Sequence, residues 1–234
     1  GGNFEEFTDE WGLRHKLGYG KYYEILNPPF ADNITMEKIE NYSWPDPYAR
    51  ERVNGLEEEV SGLFYNTDFA IAAHRPVYGN IWEMARFMLG MEKALLLVAL
   101  EPKLLEALLI KISEILDGIY DNYLSVVGPY VCIVEMADDL GSNLGPLFSP
   151  DFYRKIMKPI HRNTIDLIKK KAPDAKVLLH CDGAVRDFIP DIIDAGFEIL
   201  NPIESYLPGM SPDELKREFG KDLVFQGGVD VKHV

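Results

Sequence analysis

Apolar positions along this chain change their period several times. Pro102–Val126 carries Leu105, Leu108, Leu109, Ile112 and Leu116 at the three- and four-residue spacing of a helix that buries one face. Trp82–Leu89 also reads as helical, and Tyr48–Tyr65 as a helix with charged faces. Between and after these lie short apolar runs: Phe69–Ala73, Tyr130–Met136, Lys176–His180, Glu198–Ile203 and Leu223–Gln226. Runs of that length with helical patterns between them predict buried strands. Ser149-Pro150 predicts a helix start, with a hydroxyl cap and proline in the first turn, running to about Lys171 and kinked at Pro159. Val185–Ala195 predicts a helix closed by Gly196, and Ser211-Pro212-Asp213-Glu214 a capping box whose helix ends at Gly220. The last third is therefore βαβαβ, with parallel strands and right-handed crossovers. Residues 1–60 read as an irregular, aromatic-rich segment, with hairpin turns at Asp9-Glu10-Trp11-Gly12 and Gly18-Tyr19-Gly20 and loops at Asn27-Pro28-Pro29-Phe30 and Trp44-Pro45-Asp46-Pro47. The expected organisation is one domain over residues 1–234, with βα units from 61 onward.

Polar residues gather where the predicted strands end. The ends carry Glu135 with Asp138 and Asp139, then His180-Cys181-Asp182-Gly183, then Asn201-Pro202-Ile203-Glu204, then Gln226-Gly227-Gly228-Val229-Asp230. In parallel α/β folds, function collects at these carboxyl ends. Such tips in succession predict a shared mouth, and a (β/α)8 barrel rather than an open doubly wound sheet. Neither GxGxxG nor GxxxxGK[ST] occurs, which removes support for the common nucleotide-binding sheets.

In an extended segment alternate residues share a face, so His180 and Asp182 point into one pocket with Cys181 behind, as a core thiol. Imidazole and carboxylate suit zinc, but two groups are too few for a site. A neutral histidine bonded to a helix-capping carboxylate is the competing reading. Glu135, Asp138, Asp139 and Glu204 are candidate acids, bases or further ligands; for the Asp138-Asp139 pair, one side chain is expected inward, and loop capping is the alternative. His74 and Arg75 are the basic element at a strand end, suited to a substrate carboxylate or phosphate or to a salt bridge with a neighbouring loop. Asn201, Gln226 and Asp230 are further candidate substrate contacts, although Asn201 also suits a turn and Asp230 a helix cap. Gly227-Gly228 requires a backbone reason, either positive φ or close approach. Mid-helix His161 reads as surface or packing.

Composition narrows the classes. Over 234 residues, 24 basic against 38 acidic side chains give a formal charge of −14, and 47% of residues are hydrophobic. That apolar fraction excludes wholesale disorder, and the acidity argues against non-specific nucleic-acid binding. The longest unbroken apolar run, Ala94–Leu100, is far short of a membrane span of about 20 residues. Gly1–Glu10, polar and acidic, does not read as a signal peptide, and Cys132 and Cys181 read as reduced thiols, so the expected compartment is the cytoplasm.

The ordered series Val177–Gly183, Ile189–Gly196, Ile199-Leu200-Asn201-Pro202, Leu215–Gly220 and Gly227-Gly228-Val229-Asp230 resembles the uroporphyrinogen decarboxylase superfamily. Asp9-Glu10-Trp11-Gly12, Asp138-Asp139-Leu140-Gly141 and Ser149-Pro150 extend the likeness. The resemblance implies a (β/α)8 TIM barrel, here expected to lack its first and last elements. It implies one of two chemistries: cofactor-free decarboxylation of uroporphyrinogen in porphyrin biosynthesis, or methyl transfer with a methylcorrinoid, borne by a partner protein, and often a zinc-activated thiol. The decarboxylase's arginine-rich signature is not found, and its catalytic tyrosine position falls near Phe87; the Asp-Glu-Trp-Gly opening looks like the methyltransferase branch. Zinc methyltransferases of this family carry His-x-Cys-Gly where this chain has His180-x-Asp182-Gly183, so the thiolate is replaced by a carboxylate and a third ligand, Glu135 or Glu204, would be needed. The expected activity is corrinoid-linked methyl transfer on a small molecule, the alternatives being decarboxylation without cofactor and a non-catalytic binding barrel.

Overall fold

The computed structural model describes residues 5–18 and 23–230. The strands are β1 (Glu6–Thr8), β2 (Arg14–Leu17), β3 (Tyr23–Leu26), β4 (Ala72–Ala73), β5 (Ile133–Ala137), β6 (Lys176–His180), β7 (Ile199–Asn201) and β8 (Val224–Phe225). The α-helices are α1 (Met36–Glu40), α2 (Leu56–Asn66), α3 (Ile81–Leu89), α4 (Met91–Leu100), α5 (Pro102–Val127), α6 (Pro150–Phe152), α7 (Lys158–Lys171), α8 (Ile189–Ala195) and α9 (Pro212–Phe219). They form two compact units, residues 1–46 with 81–115, and residues 47–80 with 116–234.

In the first unit β1, β2 and β3 make an antiparallel sheet, so residues 1–60 are more regular than their composition predicts. The expected turn at Asp9–Gly12 is present: Asp9 Oδ1 accepts the backbone N–H groups of Trp11 and Leu13, each at 2.9 Å. Of the Gly18-Tyr19-Gly20 turn, Tyr19 and Gly20 lie outside the described residues. Trp11, Phe30, Tyr42 and Trp44 pack ring against ring, and the Tyr42 hydroxyl donates to the Trp11 carbonyl at 2.7 Å. Leu105, Leu108, Leu109 and Ile112 of α5 are fully buried, as their spacing predicts.

The second unit holds the parallel sheet, in the order β4-β5-β6-β7-β8. Strand order that simply follows chain order, with helices on the crossovers, is the winding of a (β/α)8 barrel; a doubly wound sheet reverses its order at a switch point. The fold is α/β and barrel-type, with five parallel barrel strands among the described residues. The core strand β6 buries Val177, Leu178 and Leu179 on both faces. Register sets three rungs on one face: Ile133, Glu135 and Ala137 of β5 lie beside Lys176, Leu178 and His180 of β6, and His180 lies beside Asn201 of β7.

Several boundaries move. Phe69–Ala73 contracts to Ala72–Ala73, because the ladder starts where the Cys132 N–H meets the Ile71 carbonyl, and Phe69 is exposed. Tyr48–Tyr65 becomes a 3-10 turn at Arg50–Arg52 followed by α2. Ser149 caps as expected, its hydroxyl accepting from the Phe152 N–H at 3.2 Å. The expected kink at Pro159 is a π turn over Tyr153–Met157; proline offers no N–H to the preceding turn and crowds its carbonyl, which widening relieves. Gly196 closes α8 at φ 110°, as predicted. The capping box at Ser211 is not formed: α9 starts there without a side-chain cap, and the Glu214 carboxylate lies 3.5 Å from Arg186.

Leu179→Ala should cost about 2–5 kcal/mol through the cavity it leaves. Val224→Thr, at an exposed position, should cost less than about 0.5 kcal/mol. Urea midpoints at constant m-value test both.

Candidate functional site

The site lies in the second unit, at the carboxyl ends of β4 to β8. The rung built from Ala137, His180 and Asn201 sets its floor. His180 Nδ1 and Asn201 Oδ1 are 2.7 Å apart, and Asn201 Nδ2 donates to the Gln226 carbonyl at 3.5 Å. With the Asn201 amide oriented that way, its oxygen accepts from Nδ1–H, so neutral His180 presents the Nε2 lone pair to the mouth. Asn201 is thus more than a turn residue.

Beyond the rung, the β5 and β6 loops bring two carboxylates to that lone pair. Ligand atoms of Asp139, His180 and Asp182 all lie within 4.8 Å of one another. Asp182 Oδ1 is 3.9 Å from His180 Nε2, as the alternation predicts. Asp139 Oδ1 also accepts the Asp182 backbone N–H at 2.8 Å, which ties one loop to the other. The glycines permit this approach. At Gly183 (φ +94°) a Cβ would sit 2.5 Å from the Gly141 carbonyl carbon, and at Gly227 (φ +122°) one would sit 2.6 Å from the Ile203 nitrogen. The Gly227 requirement is therefore backbone proximity together with positive φ.

The third group beside His180 and Asp182 is Asp139, in place of Glu135 or Glu204. Glu135 is held by a hydrogen bond with His74 Nδ1 and by an ion pair with Arg75 Nη1 at 3.2 Å, so Arg75 forms the salt bridge to a neighbouring element. Register explains it: Ala72 faces Ile133, which sets His74 opposite Glu135. Glu204 Oε2 accepts the Gly183 N–H at 2.7 Å, and Tyr206 donates to its other oxygen. Gln226 is exposed and Asp230 half-buried on the segment after β8. Asp138 is fully buried and points away from the mouth, 3.0 Å from His161 Nε2. His161 is a packed core residue.

Partial burial, then the neighbouring Asp139 charge, hold the Asp182 carboxyl above the ordinary aspartate value, with Glu204 adding to the effect and His180 and Arg75 opposing it. Burial pushes the Cys181 thiol well up, and its sulfur accepts the Leu140 N–H at 3.2 Å; it is a core thiol. Two carboxylates beside an imidazole form a donor set that suits a divalent cation with nitrogen and oxygen preference.

The winding defines a barrel-type (β/α) fold with a polar rim at the strand ends. Residues 12–233 match the family described as uroporphyrinogen decarboxylase (URO-D), and the chain belongs to it. A methyltransferase from Methanosarcina mazei has a similar structure, with a TM-score of 0.66 at 18% identity, over 92% of this chain and 59% of that protein. The chain thus spans less than two thirds of that methyltransferase's length. No curated protein matches the sequence. Among the described residues no helix is long and apolar enough to cross a membrane.

Because the folded-state carboxyl of Asp182 is raised, ionising it costs the folded state stability. That cost is absent below the ordinary aspartate value of about 3.9 and sets in as pH rises through the raised one. Asp182→Asn should therefore melt higher than the parent near neutral pH in chelator and converge with it at about pH 3. Thermal melts across that range check the sign.

Proposed function

We propose that this chain is the barrel of a corrinoid-linked methyltransferase in which Asp139, His180 and Asp182 hold a divalent metal, zinc by choice of donors. The carrying observation is the Asp139–His180–Asp182 cluster, whose imidazole is turned by Asn201 to offer its lone pair. The family match and the fold shared with a methyltransferase support the reading. Zinc there supplies Lewis acidity, lowering the pKa of a thiol, hydroxyl or water that binds it.

The chain's own residues do the rest. Asn201 holds the His180 tautomer, as partners of ligating histidines do. Arg75 and His74, steadied by Glu135, face an anionic group on the small-molecule substrate, and Asn201, Gln226 and Asp230 line its other side. Glu204 is assigned the taking and returning of a proton. The methyl-carrying corrinoid is borne by a partner protein, and the site works in the cytoplasm.

Purified protein should hold about one zinc per chain, and His180→Ala should lose it. Asn201→Ala should weaken zinc binding about 10–100-fold, measured by chelator competition. With a reduced corrinoid protein and a panel of methoxylated or methylamine substrates, corrinoid absorbance should report methyl transfer. No metal and no transfer would sink the reading. The family match itself favours a second reading, decarboxylation without a metal; coproporphyrinogen formed from uroporphyrinogen by the same preparation would establish it. A chain that binds such ligands without turnover would be the non-catalytic barrel.

A further inference from the structure

One buried polar cluster is left unused by this mechanism. Tyr153, His161 and Asp138 are fully buried and run in a line from helix to strand tip. The Tyr153 hydroxyl is 3.1 Å from His161 Nδ1, and His161 Nε2 is 3.0 Å from Asp138 Oδ2. The rings are locked by their neighbours: Tyr153 stacks on Phe188 at 5.1 Å between centroids, and His161 meets Phe197 edge-on at 5.5 Å. A buried carboxylate is costly unless it is paired and bonded, and the imidazole N–H supplies that bond to Asp138.

The π turn explains how the line is built. Tyr153 and His161 are eight residues apart, which at about 100° per residue leaves them roughly 80° out of line on a regular α-helix. The widened turn at Tyr153–Met157 takes up one residue, so the pair behaves like a seven-residue spacing, within about 20° of one face.

The far end of the line reaches the strand-tip cluster through backbone alone. The Asp138 N–H donates to the His180 carbonyl at 2.9 Å. The next residue, Asp139, accepts the Asp182 N–H. Moving Asp138 therefore moves the groups on either side of the His180 lone pair.

We propose that Tyr153, His161 and Asp138 are positioning residues for the Asp139–His180–Asp182 cluster. The π turn of the helix after β5 sets the β5 tip, and the β5 tip holds the His180 backbone on which Asn201 orients the ring. The link to metal affinity rests on the metal reading given above; the link to the His180 ring does not.

The test is ring 15N NMR of His180 in metal-free protein, beside zinc affinity by chelator competition. His161→Leu, which removes both ring bonds, should shift the His180 ring signals away from the Nδ1–H form and weaken zinc about 10–100-fold. His161→Gln, which keeps a terminal N–H donor for Asp138, should restore both. His180 signals unchanged in His161→Leu would overturn the proposal, whatever happens to melting temperature, because a merely structural histidine lowers stability without changing a tautomer elsewhere. Shifted signals in a protein whose parent binds no zinc would sustain the positioning role and remove the metal reading instead. Should His161→Leu not fold, Tyr153→Phe removes a single oxygen and carries the same readout: a smaller shift in the same direction is expected, and no shift overturns the proposal.

Discussion

The parallel ladder through Met136, Leu179 and Leu200 decides what every polar residue at the rim can do. Its hydrogen bonds set the register, and register sets which side chains reach the mouth together. A slip of one residue would exchange the two faces of β6, putting Cys181 at the mouth and His180 in the core. Because Val177, Leu178 and Leu179 are all buried, such a slip would put the His180 imidazole into the apolar core and force every one of these side chains to repack, so packing holds the site in place.

On that frame, the rim gathers negative charge that the fold does not fully neutralise. Arg75 and His74 are engaged with Glu135, and His180 offers a lone pair. Asp139 and Asp182 are left close together, and partial burial, with the Asp139 charge second, raises the Asp182 carboxyl. A site that spends stability in this way has groups available for a cation or a proton. By contrast, the carboxylates of buried Asp191 and half-buried Glu198 are each met by two cationic side chains and held below their ordinary values.

Much of this was legible from residues alone where the signal was local. His180 and Asp182 share a face because strands alternate; Ser149 caps and Gly196 closes because their backbones demand it. The reading failed where distant partners decide. Asp138 and Asp139 are indistinguishable as letters, yet one is buried on His161 and the other opens to the mouth. Glu135 carried the same promise as Asp139 until register set it opposite His74. Ser211 satisfied a capping pattern, while Arg186 drew Glu214 elsewhere.

The sequence by itself determined the kind of fold, the residues at the strand ends and the acidity of the mouth, since these follow from periodicity and composition. Only the tertiary structure decided which carboxylate completes the His180 cluster, which tautomer Asn201 imposes, and that a π turn aligns Tyr153 with His161. Those choices are made by hydrogen bonds between residues 8 to 61 positions apart, and the spacing of letters holds no information about distances of that kind.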